Sequence, residues 1–442
     1  MNKAVRRLTN ILFWSVIAAA FIGPGTVTTA ARAGAAYHYS LLWTLVFSTF
    51  ACIILQEAAA RIRIVSGLSL GSAVRKKFTG TSFFRLIILL VSGAILLGSA
   101  AYETGNILGA VAGIRIMLPG PSWLWVSVMG AGAAILLFSG AEHTVARILG
   151  MLVAVMGVAF LYTAIASRPD LSLVLRGALV PVIPDAGLSA ILILGLVGTT
   201  VVPYNLFLGS GIGGHNQTIR EMRAGLITAI ILGGFISMAV LVVGNLVEGP
   251  FTFENLVTAL ATKLGRSAVI VFGLGMLAAG FTSAVTAPLA SAITARDLFS
   301  EPGNQQWKKG AIWFTLVWVL ILIIGMGFGY AGIKPVPAII LAQALNGLIL
   351  PLITVFLFYI VNDPGIMGKG HLNSSGNNLL MFLVNTVAWL LGLWQLLTVT
   401  ARVMDLPLKH PSKIIPWVLI VSLVINGLIT GKILLIRKRE MR

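Results

Sequence analysis

Phe21-Ile22-Gly23-Pro24-Gly25-Thr26-Val27-Thr28-Thr29 lies in the middle of an apolar run covering residues 11–36. A run of that length crosses the hydrocarbon core of a bilayer as a helix, yet its centre cannot stay α-helical. Pro24 lacks a backbone donor and disfavours helix at Gly23, and each flanking glycine lowers helix propensity by about 1 kcal/mol. In hydrocarbon the released backbone groups must be satisfied by protein or by a polar cavity, so an interrupted span is expected to line a site. The alternative is an ordinary kink, since Pro and Gly are common in membrane helices.

A second run, residues 188–213, is interrupted in the same way by Gly198-Thr199-Thr200-Val201-Val202-Pro203-Tyr204-Asn205. Ten further runs, at 41–60, 84–112, 122–140, 147–167, 224–247, 266–298, 311–331, 336–361, 377–399 and 414–436, bring the expected helices to twelve. The two broken runs are the first and the sixth. Each opens a set of five, 11–167 and 188–361, with 377–436 as additional helices. An odd number of helices per set inverts the second copy, and matching interruptions in inverted halves are the sequence pointer to a secondary-transporter site near the membrane midplane.

Composition agrees. The chain has 442 residues, 58% hydrophobic and only 10% charged, with mean hydropathy +0.98, whereas soluble domains carry about 25% charged residues. The expectation is one all-α polytopic membrane domain, which excludes a soluble enzyme and a disordered chain. The net charge of +18 resides in the loops, where it sets topology and attracts anionic lipid rather than nucleic acid. Most Lys and Arg fall on the side of Arg61, Arg63, Arg75, Lys76, Lys77, Arg85 and the tail Arg437, Lys438, Arg439. Both termini are therefore expected in the cytoplasm, in the inner membrane, with the N-terminal segment retained rather than cleaved. The single Cys52 excludes an intramolecular disulfide and cysteine-ligated metal.

The residues quoted above resemble the NRAMP family of proton-coupled manganese and iron importers. The likeness shows in Ser15 through Gly25, in Ala33-Gly34-Ala35, in Tyr39-Ser40-Leu41-Leu42-Trp43, in Leu55-Gln56 and in the break at Pro203. It implies a LeuT-like 5+5 inverted repeat plus two helices, working by alternating access and symport. In that family the first break reads Asp-Pro-Gly-Asn, whose Asp and Asn hold the metal, and the second reads Met-Pro-His. Here Gly23, Pro24, Gly25 and Thr26 occupy the first break and Val202, Pro203 and Tyr204 the second; Asn205 keeps the family pattern. The usual side-chain ligands are missing.

Elimination leads the same way. Of thirteen acids only Glu103 lies deep in a span, and His38, His143, His215, His371 and His410 fall in loops or at span ends. Selection of manganese or iron normally uses nitrogen or sulfur, whereas hard ions accept oxygen alone. The substrate-binding candidates are Gly23, Gly25, Thr26, Thr200, Val202, Tyr204, Asn205, Glu103, Asn106, Gln343 and Asn346, placed between spans one, six, three and ten. Glu103 and Asn106 share a helix face; an acid at that depth costs at least about 2.5 kcal/mol and marks function by default, or else is a hydrogen-bonded packing group. The family carries acids on this span along its proton path, matching Glu103 and, with an amide replacement, Asn106. Gln343 and Asn346 share another face and serve either as ligands or as bridges between helices.

Glu57 is a gate or coupling candidate, with an ion pair to Arg61 as the simpler account. Thr282, Ser283 and Thr286 offer hydroxyls that commonly bond back to their own helix. Trp14, Trp43, Trp123, Trp125, Trp389, Trp394 and Trp417 read as an interfacial belt. Gly211-Ile212-Gly213-Gly214 lacks the context of a phosphate loop.

The expected protein is therefore a transporter and not an enzyme, with no cofactor and no nucleic-acid partner, in contact with membrane lipid, and monomeric. Its substrate reading is a small cation, a divalent metal bound with altered selectivity. A small organic cation, for which Tyr204 offers an aromatic face, or a neutral molecule is the second reading. A channel or a sensor that does not transport is the third.

Overall fold

The computed structural model describes residues 22–140, 142–185, 187–212, 217–301, 304–404 and 411–441. The first half of span one, Trp14, His215, His410 and Gly213-Gly214 lie outside the described residues. The helices are α1 (Pro24–Tyr37), α2 (Leu42–Ser66), α3 (Leu70–Phe78), α4 (Phe84–Met117), α5 (Ser122–Ser139), α6 (Glu142–Ala166), α7 (Leu171–Leu179), α8 (Leu188–Thr200), α9 (Pro203–Ile212), α10 (Ile219–Gly244), α11 (Phe253–Leu264), α12 (Ser267–Phe299), α13 (Ile312–Tyr330), α14 (Pro335–Val361), α15 (Pro364–Met367), α16 (Ser375–Val403) and α17 (Pro411–Met441).

Eleven helical segments among the described residues are long and apolar enough to cross a membrane, α8 and α9 together forming one of them. They match the apolar runs from the second to the twelfth, and α1 is the second half of the first. Several ends differ. Span two continues past residue 60 to Ser66 because Arg61, inside the last turns, finds Glu57 and Asn373 as partners. The short helices α3, α7, α11 and α15 lie between spans, where the loops were read for charge alone.

The described half of the first broken span, α1, and the second broken span, α8 with α9, form the centre. In α1 every residue from Pro24 to Ala31 is buried, and in α8 every residue from Leu192 to Thr200. Such helices approach their neighbours backbone to backbone, which only glycine permits. A Cβ on Gly34 would lie 1.9 Å from the carbonyl oxygen of Leu241 in α10, and one on Gly244 would lie 2.2 Å from that of Ala31. The same reciprocity joins α8 to α14: Gly198 meets Gln343 O and Gly347 meets Leu194 O. Without a hydrophobic driving force inside lipid, this close packing holds the bundle together.

The outermost helix, α17, presents Leu423, Val424 and Leu428 outward, as a lipid-facing surface requires. Trp123 and Trp417 are exposed and fit the belt; Trp394 does not, being buried between α16 and α17 against Ala190 and Val418.

Candidate functional site at the paired helix breaks

At the first break Gly23 is extended (φ −90°, ψ 176°), and Pro24 starts α1 where its missing donor costs nothing. A backbone bond from Val27 N to Gly23 O, at 3.2 Å, closes this turn. At the second break α8 ends at Thr200, Val201 and Val202 form the gap, and Pro203 starts α9. Thr26 and Thr199 tie the two breaks together through their hydroxyls, 2.9 Å apart and buried.

Gln343 of α14 lies against both. A Cβ on Gly25 would sit 2.2 Å from Gln343 Nε2, and one on Gly195 would sit 3.6 Å from Gln343 Cβ. Gly25 is therefore required by the close approach of this amide. Among the described residues, the buried amide oxygen of Gln343 has no hydrogen-bond partner. The same holds for the hydroxyls of Thr28 and Thr29, the amide nitrogen of Asn205 and the amide oxygen of Asn346. Asn346 spends its nitrogen on the carbonyls of Gly98 (3.3 Å) and Ala342 (3.0 Å), and Thr200 bonds back to Leu196. Buried polar atoms without partners are rare in folded proteins; several of those in this chain, all of them neutral, belong to residues of the breaks and of the α14 face packed on them.

The face of α4 turned to this centre carries Tyr102, Gly105 and Gly109. Tyr102 donates its hydroxyl to the carbonyl of Gly198 at 2.7 Å, and its ring stands edge-on to Tyr204, 5.3 Å between centroids. Gly109 accommodates Pro24. Tyr102 is the residue that the sequence reading passed over, although it adjoins Glu103; an aromatic among small residues on one face of a span was the available signal. Tyr204 is buried against Tyr102.

Glu103 is fully buried but points elsewhere around α4. A Cβ on Gly325 of α13 would lie 2.6 Å from Glu103 Cγ; Asn106 donates to one carboxylate oxygen at 3.4 Å, and the other has no partner. The α12 hydroxyls of Thr282 and Thr286 bond back to Ala278 and Thr282, while Ser283 Oγ faces Gly23, 3.6 Å from where a Cβ would stand. Among the described residues no three His, Cys, Asp or Glu side chains are placed to hold a metal.

Glu57 stands apart, at the far end of α2. It takes Arg61 at 3.1 Å and Arg223 of α10 at 2.7 Å. Arg61 in turn donates to the carbonyl of His371 at 2.7 Å and to Asn373. The expected intrahelical pair exists, as one part of a network joining α2, α10 and the loop before α16. Beside it, Gln56 is buried against Gly209 of α9 with neither amide atom paired.

Comparison with known proteins accords with this arrangement. Residues 15–398 match the description of the Natural resistance-associated macrophage protein-like family. A divalent metal cation transporter, MntH, from Pectobacterium carotovorum is 24% identical over 370 residues, 80% of this chain and 85% of that protein. A crystal structure of the manganese transporter of Eremococcus coleocola superposes with a TM-score of 0.72 at 20% identity, covering 99% and 97% of the two chains. Mhp1, a nucleobase-cation-symport-1 family transporter, gives 0.58 at 15% identity over 96% and 92%. These likenesses give the fold as that of LeuT-like polytopic transporters. The chain is an integral membrane protein that belongs to the Natural resistance-associated macrophage protein-like family.

Proposed function

We propose that this protein is a secondary transporter, not an enzyme, that works by alternating access and moves a small cation, with a divalent metal ion as the leading substrate. The relatives' names, divalent metal cation transporter and manganese transporter, support the substrate class. The observation that carries the reading is the convergence of both breaks on Gln343, where neutral polar atoms are buried without partners. A bound solute would satisfy them.

Selectivity follows from the donors. Gly23, Gly25, Thr26, Thr200, Val202, Tyr204, Asn205, Gln343 and Asn346 bring oxygens and amides but no carboxylate, imidazole or thioether. Such a set suits a hard ion that keeps some of its water, so magnesium and manganese are discriminated poorly. The set of residues 11–167 rocks against 188–361, with 377–436 as an addition, both termini in the cytoplasm and lipid around a single chain. Glu103 with Asn106 is the coupling candidate, and Glu57 the gate candidate.

Among the described residues no carboxylate contacts the breaks directly, which favours a second reading, a non-metal solute such as a small organic cation or neutral molecule. Uptake of manganese and magnesium into proteoliposomes, with counterflow and with Glu103→Gln, separates these. Saturable uptake with counterflow supports metal transport; counterflow also excludes a channel. No flux of either ion from folded protein would turn the search to organic solutes, and binding without flux would indicate a sensor.

A further inference from the structure

On the face where α1 and α4 end and α14 begins, a cavity of about 1080 Å³ lies between helices that also carry the site. Its floor is in register with the centre described above. Arg32 lies one turn beyond Thr28 and Thr29 on α1, Ile340 one turn before Gln343 on α14, and Leu108 just beyond Asn106 on α4.

The charged residues lining the cavity are Arg32, Arg115 and Lys334 against the single Glu254. Among the described residues none of the three cations is ion-paired. Arg32 stands over the ring of Phe251 at 5.8 Å, and Arg115 donates to Ser122 Oγ at 3.1 Å. Glu254 sits in the first turn of α11, where the helix dipole already engages its charge. Of the acids that neighbour the rim in sequence, Asp185 is taken by the Tyr37 hydroxyl and the backbone N–H groups of Gly187 and Ser189, and Glu248, two residues before Pro250, is exposed. Four helices, α5, α8, α11 and α14, have their N-termini at the cavity, against C-termini from α4 and α13. Free cations in a low-dielectric cleft attract anions and repel a bare divalent cation.

We propose that this vestibule binds a small multivalent carboxylate anion, either free or as the chelating counter-anion of a divalent metal. The location relative to the transport centre rests on the transport reading; the binding itself does not. The tests use purified full-length protein and citrate as the probe, titrated by calorimetry at low and high ionic strength.

Wild type is expected to bind citrate saturably and more weakly at high salt. The double substitution Arg115→Glu with Lys334→Glu is expected to weaken binding by at least about tenfold. Lys263→Glu, a charge reversal outside the lining, serves as the control and should leave binding unchanged. Titration with magnesium citrate separates the two sources: tighter binding of the complex assigns a counter-anion, and equal or weaker binding assigns the free anion. Absence of saturable binding to folded wild type, or the same affinity in the double variant, would overturn the proposal. Citrate binding without any ion uptake would count against the transport reading alone, and ion uptake with no citrate site against this one alone.

Discussion

The hydroxyl of Tyr102 is bonded to the carbonyl of Gly198, 2.7 Å away and 96 positions along the chain, at the last turn before the second break. It fixes the end of α8 to α4 and brings the Tyr102 ring edge-on to Tyr204 on the other side of the gap. The break is thus held open by a defined contact instead of by disorder in the backbone. Tyr102→Phe keeps the ring pair and removes the bond, and is expected to cost about 1 kcal/mol of stability. Tyr102→Ala removes both and should cost about 3–5 kcal/mol. Thermal unfolding of the purified variants checks the ranking; equal losses would show that the bond contributes nothing beyond the ring.

Gly25 and Gly23 differ in the room they leave. A Cβ at Gly25 collides with Gln343, whereas one at Gly23 meets, among the described residues, only Ser283 Oγ at ordinary contact distance. Gly25→Ala is therefore expected to reduce uptake by about tenfold or more, a loss of at least 1.4 kcal/mol at the site. Gln343→Ala in the same chain makes space for the methyl group, so the double variant should fall no further than Gln343→Ala alone. Additive losses, read from uptake rates, would contradict the packing described.

Restoring the family's metal ligands is expected to succeed at Gly23. Gly23→Asp with Val202→Met places a carboxylate and a thioether at the two breaks, the donors that transition metals prefer. Manganese uptake should rise relative to magnesium uptake. An unchanged ratio in a folded variant would mean that the breaks do not face the transported ion.

The network at the other end of the bundle makes a stability prediction. Arg61 is 4% exposed, so Glu57→Gln leaves its charge buried with one partner fewer, which costs about 3–5 kcal/mol. The side chain of Arg223 is 46% exposed, and Arg223→Ala should cost less than about 1 kcal/mol. Denaturation of the two variants in one detergent compares them directly.

Lys77, in α3 outside the spans, gives a pH dependence. Burial opposes its charge, but Asp363 at 2.5 Å and Glu440 at 2.7 Å outweigh that and raise its pKa above the ordinary lysine value. Its contribution to stability is complete below the unfolded value of about 10.4 and is lost as pH rises through the higher folded value. Melting curves should fall in that alkaline window, and Lys77→Met should flatten the fall.

The fold was largely legible because each span is an apolar run long enough to cross a bilayer, and because Gly-Pro-Gly and Val-Pro-Tyr break helices for reasons internal to the residues. The short α3 and α7 were not, since nine-residue amphipathic helices in charged loops give little signal against the spans around them. At the site, depth was legible and direction was not. Glu103 is as buried as its position implied, yet it lies against Gly325, and the adjacent Tyr102 faces the break. A step of one residue turns a helical side chain by about 100°, and only packing against neighbouring helices sets which one faces inward. The role of Gln343 was visible as an amide in a span; that Gly25 must be small to receive it needed the structure.

The central claim is that an ion is carried at the neutral centre where Gln343 meets the two breaks. Its most direct test is initial-rate uptake of manganese and magnesium into proteoliposomes by wild type and Gln343→Ala. The account predicts saturable uptake of both ions, with little preference between them, and at least about a tenfold loss of transport efficiency in the variant, or 1.4 kcal/mol. Uptake unchanged in Gln343→Ala, or absent from folded wild-type protein, would contradict it.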